Sequence, residues 1–247
     1  MTSCRLSVAA EKWPLKEPFH ISRGVKTVAE VVRVELERGG FRGQGESAPY
    51  ARYGESIESV IQQIETVRKN LEKGITPEEL QALLPAGAAR NAVDCALWDL
   101  RAQQEKTSVE GLLNMPPPEN IDTAVTIGIG SAEEMAEKAI RYKDYPLLKI
   151  KLNQEGITEK IKAIRQVAPS PRIIIDPNES WTVDILRHLD DFFKEMRIDL
   201  LEQPLKAGED EGLRDFRGSI PLCADESCHT RKDLENLRDK YQVINIK

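Results

Sequence analysis

Five ionisable residues recur through the second half of the chain at near-constant intervals: Lys151, Asp176, Glu202, Asp225 and Lys247, separated by 25, 26, 23 and 22 residues. Each stands at or near the end of a short apolar run, in LLKIKL, IIIDPN, DLLEQP, PLCADES and VINIK. A charge that is merely solvated at the end of a strand would explain any one of them, but not five in succession. Three carboxylates on adjacent strand ends repel one another unless a cation sits among them. Donors that are all oxygen point to Mg²⁺, which keeps further octahedral positions for water and substrate oxygens. The lysines flank that set, Lys151 one run before it and Lys247 one run after, so they approach a bound substrate from opposite sides. Opposed bases suit inversion at carbon: one removes a proton α to a carboxylate, the other returns one, and a divalent cation on the carboxylate stabilises the enediolate between them. Such a base must be partly neutral near pH 7, and the neighbouring Lys149 and the cation both disfavour the charged form of Lys151.

Placing five groups on one rim requires a parallel sheet. Apolar runs at 124–130, 147–152, 173–178, 199–204, 221–227 and 243–247 alternate with helical stretches, the signature of βαβ units. In a (β/α) barrel, successive strand C-termini ring one mouth, where such architectures build their active sites. Upstream, Pro116-Pro117-Pro118 breaks the chain into an extended connector. The residues before it read differently. Strands are expected at 5–9 and 28–36, with a hairpin at Gly39-Gly40. One helix then carries Ile57, Val60, Ile61, Ile64, Val67 and Leu71 on a single stripe and stops at Gly74, and two more follow over 77–84 and 88–103. The prediction is an α/β protein with an α+β domain over 1–115 and a (β/α) barrel, strands 1 to 6, over 120–247.

Composition sets the class of protein. The 247 residues, 40% hydrophobic and 31% charged, suit a globular chain and exclude collagen-like or disordered readings. A net charge of -6 without a polybasic run argues against nucleic acid. Cys4, Cys95, Cys223 and Cys228 have no framework spacing and are expected to be reduced. No apolar stretch reaches membrane-spanning length and the N-terminus does not read as a signal peptide, so no membrane partner and a cytoplasmic location are expected. His20, His188 and His229 lack metal-ligand spacing. Gly43-Gln44-Gly45-Glu46 is too short for a dinucleotide loop.

The motifs Lys149-Ile150-Lys151, Asp176-Pro177-Asn178-Glu179-Ser180, Glu202-Gln203-Pro204, Ala224-Asp225-Glu226-Ser227 and Asn245-Ile246-Lys247 resemble the muconate lactonizing enzyme subgroup of the enolase superfamily, and within it the dipeptide epimerases. Segments 13–15, 22–24, 49–56 and 84–91 are similar to the bacterial members, so the resemblance covers essentially the whole chain. It implies a TIM-like barrel under an α+β capping domain, and Mg²⁺-dependent epimerisation of L-Ala-D/L-Glu at the Glu α-carbon, in the recycling of murein peptides of the cell wall. Lys151 and Lys247 would then be the acid/base pair, Asp176, Glu202 and Asp225 the metal ligands, and Lys149 an aid at the substrate carboxylate. The family's capping loops direct attention to Arg23 and to Arg52-Tyr53. Arg23 could clamp a carboxylate bidentately, with an exposed loop arginine as the plain alternative. Thr126 on the first barrel strand could face substrate or simply pack. Two departures stand out. Pro177 replaces a small residue, and the chain stops at Lys247 where the family continues through two more βα units that carry the motif for the dipeptide's ammonium group. A fragment of a longer protein is the expectation, with a homo-oligomer that completes the barrel as the alternative. A lyase or cycloisomerase such as o-succinylbenzoate synthase shares the same ligands and lysines, and an inactive metal-binding fragment is the non-enzymatic reading.

Overall fold

The computed structural model describes residues 3–21 and 24–246, so Arg23 and Lys247 lie outside the described residues. The chain forms two units, Met1–Lys16 with Thr27–Asn120, and Glu17–Lys26 with Ile121–Lys247.

The first unit is built on strands β1 (Arg5–Ile21), β2 (Gly24–Arg38) and β3 (Phe41–Ser47), ordered β1-β2-β3. Arg38 pairs with Phe41 across the predicted turn, where Gly39 and Gly40 both take positive φ, 59° and 84°, as a tight hairpin requires. Alternation along β2 buries Val32, Val34 and Leu36 on one face. Five helices follow: α1 (Ile57–Thr66), α2 (Arg68–Lys73), α3 (Pro77–Leu83), α4 (Ala88–Glu105) and α5 (Val109–Leu112). Ser56 and Thr76 cap α1 and α3 through reciprocal side-chain bonds. The single helix expected from Ser56 to Gly74 is broken at Val67, where two β-branched residues meet and the Thr66 hydroxyl donates back to the Gln63 carbonyl at 2.6 Å. Strand β1 runs far beyond the predicted 5–9, and its Pro14 is tolerated because β1 is an edge strand. The glycines of β3 serve packing: a Cβ at Gly45 would stand 2.0 Å from the Ala92 carbonyl oxygen of α4, and one at Gly43 2.3 Å from that of Ala96.

The second unit holds six parallel strands in chain order, β4 (Val125–Ile127), β5 (Leu147–Lys151), β6 (Arg172–Asp176), β7 (Ile198–Glu202), β8 (Leu222–Ala224) and β9 (Val243–Ile244). With every new strand added beside the last, the winding is that of a (β/α) barrel rather than of a doubly wound sheet. Helices α6 (Ala132–Tyr142), α7 (Ile157–Val167), α8 (Val183–Glu195) and α9 (Leu234–Leu237) follow β4, β5, β6 and β8. Outward residues Leu148, Ile150, Ile173 and Ile175 are fully buried in the core of this unit. The helical stretches expected after β7 and β8 shrink to a 3₁₀ turn, Glu211–Asp215, and to the four residues of α9. Pro204, Gly208, Gly212, Gly218 and Pro221 leave no room for a longer helix between β7 and β8.

His20 joins this unit just beyond β4: the Ile129 amide donates to the His20 carbonyl at 3.1 Å. Among the described residues no helix is long and apolar enough to cross a membrane. Cys4, Cys223 and Cys228 are buried, Cys95 is exposed, and none of the four is in a disulfide. The three histidines are exposed.

Candidate active site

Register decides which side chains share the inner face of the six-stranded sheet. Thr126 pairs with Lys149, Lys151 with Asp176, and Glu202 with Cys223, and paired residues point the same way. Lys151, Asp176 and Glu202 are the last residues of β5, β6 and β7, and Asp225 lies one residue beyond β8. Parallel strands in sequential order therefore bring four of the five predicted groups to one rim.

The groups form a continuous line. Lys151 Nζ donates to Asp176 Oδ2 at 2.5 Å and to Asn178 Oδ1 at 3.0 Å. Lys149 Nζ bridges Asp176 Oδ2 at 2.9 Å and Glu202 Oε2 at 2.6 Å. Asn245 Nδ2 bridges Glu202 Oε1 at 2.9 Å and Asp225 Oδ1 at 3.1 Å. Asp176 is 1% exposed and Glu202 5%, so both carboxylates have left bulk water. The loop after β6 is tightly specified: the Asn178 amide donates to Asp176 Oδ1 at 2.9 Å, and Asn178 and Glu179 adopt left-handed φ of 47° and 69°. Pro177 leaves this turn intact, since its missing N–H is not one the turn uses.

Electrostatics shows what the cluster lacks. Burial would raise the carboxyl of Asp176, but Lys151 and Lys149 outweigh it and hold it below its ordinary range. Burial would lower the Lys149 ammonium, but Asp176 and Glu202 outweigh it and keep it charged. Glu202 is pushed up to about 7 by burial and by Asp176, with Asp225 adding to the repulsion against the pull of Lys149. Among the described residues two lysines, Lys149 and Lys151, thus face three buried or half-buried carboxylates. Among the described residues no three acidic, histidine or cysteine side chains already enclose a metal position, and Lys149 and Asn245 fill the gaps between the carboxylates. That balance among the described residues and the all-oxygen donors nonetheless fit a hard divalent cation.

Sequence reasoning weighted charge and so passed over the amides. Asn178 and Asn245 lie within quoted motifs, and strand alternation from Lys247 would have put Asn245 on the same face. Cys223 also lines that face, its thiol pushed up to about 12 by burial and by Glu202 and Asp225, which leaves it protonated and inert. Arg23 and Lys247 fall outside the described residues.

Residues 3–114 match the mandelate racemase / muconate lactonizing enzyme N-terminal domain and residues 131–247 the enolase C-terminal domain-like family. The L-Ala-D/L-Glu epimerase of Escherichia coli strain K12 is 47% identical over 244 residues, covering 98% of this chain and 76% of that protein. An Agrobacterium tumefaciens enolase family member with homology to dipeptide epimerases, solved with sodium and L-Ala-L-Glu, superposes with a TM-score of 0.94 at 42% identity, over 98% of this chain and 74% of its own. A dipeptide epimerase from Enterococcus faecalis V583, complexed with Mg and L-Leu-L-Tyr, gives a TM-score of 0.91 at 30% identity, over 100% of this chain and 75% of its own. With a matching domain at each end, this chain belongs to the mandelate racemase / muconate lactonizing enzyme family of the enolase superfamily, in its dipeptide epimerase branch.

Proposed function

We propose that the chain carries a Mg²⁺-dependent isomerase site that inverts the Glu α-carbon of L-Ala-D/L-Glu dipeptides by 1,1-proton transfer between two lysines. The observation that carries this reading is the unbroken line Lys151, Asp176, Lys149, Glu202, Asn245, Asp225, in which carboxylates alternate with nitrogen donors across consecutive strand ends. Asp176, Glu202 and Asp225 are the residues to hold the cation, and Mg²⁺ bound among them supplies the charge that makes a proton α to a carboxylate removable. Lys151, aimed by Asp176 and Asn178, takes or returns that proton at Nζ on one side. Lys247 is assigned the same task from the other side. The assignment rests on the resemblance of Asn245-Ile246-Lys247 to the family's motif. Lys149, held charged, is suited to a substrate carboxylate, with Thr126 beside it on β4, and Arg23 is assigned a substrate carboxylate on the resemblance alone. In this reading residues 1–115 are the capping domain, 120–247 the barrel, and the reaction belongs to cytoplasmic recycling of murein peptides.

Proton exchange tests the reading directly. With Mg²⁺ in deuterium oxide, the protein should wash out the Glu α-proton of L-Ala-L-Glu and of L-Ala-D-Glu, followed by NMR, while polarimetry follows epimerisation. Lys151→Ala should lose about 10²–10⁴-fold in epimerisation, the usual worth of a positioned acid or base, and still exchange one epimer. Epimerisation near the wild-type rate in that variant would exclude the two-base scheme. No exchange of either dipeptide by the wild type with Mg²⁺ would exclude the substrate.

A further inference from the structure

Asp225 stands beyond the last residue of β8, in a loop that something other than the strand must fix. The side chain of Gln203, next to Glu202, does so. It is fully buried, and its Oε1 accepts the backbone N–H of Asp225 and of Ser227, both at 2.9 Å. Its Nε2 is directed at the Leu205 carbonyl at 2.7 Å, the Ser227 hydroxyl at 2.9 Å and the Tyr241 hydroxyl at 3.0 Å. Turned over, the same amide would press its NH₂ against two N–H donors. Its orientation is set from behind. Ser227 and Tyr241 both donate to Asp210 Oδ2, at 2.7 and 2.8 Å, so their lone pairs face Gln203. Asp210 Oδ1 accepts from Lys240 Nζ at 2.6 Å, and these two residues are 1% and 6% exposed. Burial would raise the Asp210 carboxyl, but Lys240, Ser227 and Tyr241 outweigh it and keep it ionised, while burial keeps the Tyr241 hydroxyl protonated. Gln203 itself holds φ at 34°, a left-handed conformation that a non-glycine residue keeps only when its surroundings over-determine it.

We propose that Asp210 and Tyr241 are positioning residues for Asp225: Asp210 polarises the Ser227 and Tyr241 hydroxyls, these orient the Gln203 amide, and that amide holds the third carboxylate in place and so sets how tightly the divalent cation is bound. The inference rests on Asp225 being a metal ligand, as argued above.

Tyr241→Phe and Ser227→Ala each remove one hydroxyl and leave the Lys240 to Asp210 ion pair in place. Ile164→Val, which trims a fully buried residue of α7, serves as the control for a general loss of stability. Two quantities are read, hydrogen exchange of the Asp225 amide by NMR and Mg²⁺ affinity by calorimetry. Tyr241→Phe should speed that exchange and weaken Mg²⁺ binding by about 3- to 10-fold, the scale of one hydrogen bond, and Ile164→Val should change neither. If Tyr241→Phe does not fold, Ser227→Ala is read by the same criterion. Wild-type exchange at Asp225 in the hydroxyl variant, or an equal effect in Ile164→Val, would overturn the positioning role. Asp225→Asn separates the two claims. If it binds Mg²⁺ as the wild type does, the metal assignment of Asp225 fails, and the exchange rates still decide whether the network holds the loop.

Discussion

Glu202 is pushed up by burial and by its neighbours Asp176 and Asp225, with one ammonium group against it. A cation placed among these carboxylates opposes that shift, so Glu202 should be a sensitive ligand. Glu202→Gln removes the charge and keeps the shape. It should weaken Mg²⁺ affinity by at least the about 10- to 100-fold that losing a mere supporting partner of a ligand costs, measured by titration calorimetry. Equal affinity in wild type and variant would take Glu202 out of the metal site. At this scale the sequence was most informative where residue type contradicts its setting: an aspartate closing IIID or a glutamate closing DLLE has no apolar reason to be there. Asn178, Gln203 and Asn245 were harder to read. Neutral amides at strand ends are as common in turns as in sites, and only the folded structure shows Asn245 spanning two carboxylates or Gln203 holding the Asp225 loop.

The elements that carry these residues were legible wherever a local period governs them. Strands β5, β6 and β7 fall within a residue or two of their apolar runs, because outward residues such as Ile150 and Ile175 must be buried against helices. The break at Val67 and the loss of helix after β7 were missed for a shared reason: a hydrophobic stripe or an alternating rhythm overrides the weaker signals of β-branching, Gly and Pro in a sequence reading. The pairing of β3 with α4 makes the opposite point. Gly43-Gln44-Gly45 could be excluded as a dinucleotide loop, but its purpose, the close approach of an alanine-rich helix, is visible only in three dimensions. Gly45→Ala would drive a methyl to 2.0 Å from the Ala92 carbonyl oxygen. Overpacking of this kind costs about 1–3 kcal/mol, so the variant should melt at a lower temperature by calorimetry, with Mg²⁺ affinity at the wild-type level. A wild-type melting temperature would mean that α4 can retreat from the sheet at no cost.

At the scale of the molecule, the apolar residues fall into two cores, one around Val34, Leu36 and Ile64 and one around Leu148, Ile150 and Phe193. The second belongs to the unit that bears the carboxylates, and that unit also takes in Glu17–Lys26 from the first hundred residues. Nothing in the alternation of β1 and β2 announces this, because a segment that packs more than a hundred residues away leaves no local period. The bond between His20 and Ile129 is its physical trace. A ligand that binds only the folded form stabilises the cooperative unit that forms its site. Mg²⁺ at about a hundred times its dissociation constant should therefore add about 2.7 kcal/mol to the opening of the second unit, slowing hydrogen exchange there by about 100-fold where exchange requires that opening. The amides of Leu148, Ile150 and Ile175 should show it, and Ile129 with them, while those of Val34, Leu36 and Ile64 stay unchanged. Equal protection in both cores would mean that the two units open as one. No protection in either would place the cation somewhere other than the strand ends that hold Asp176, Glu202 and Asp225.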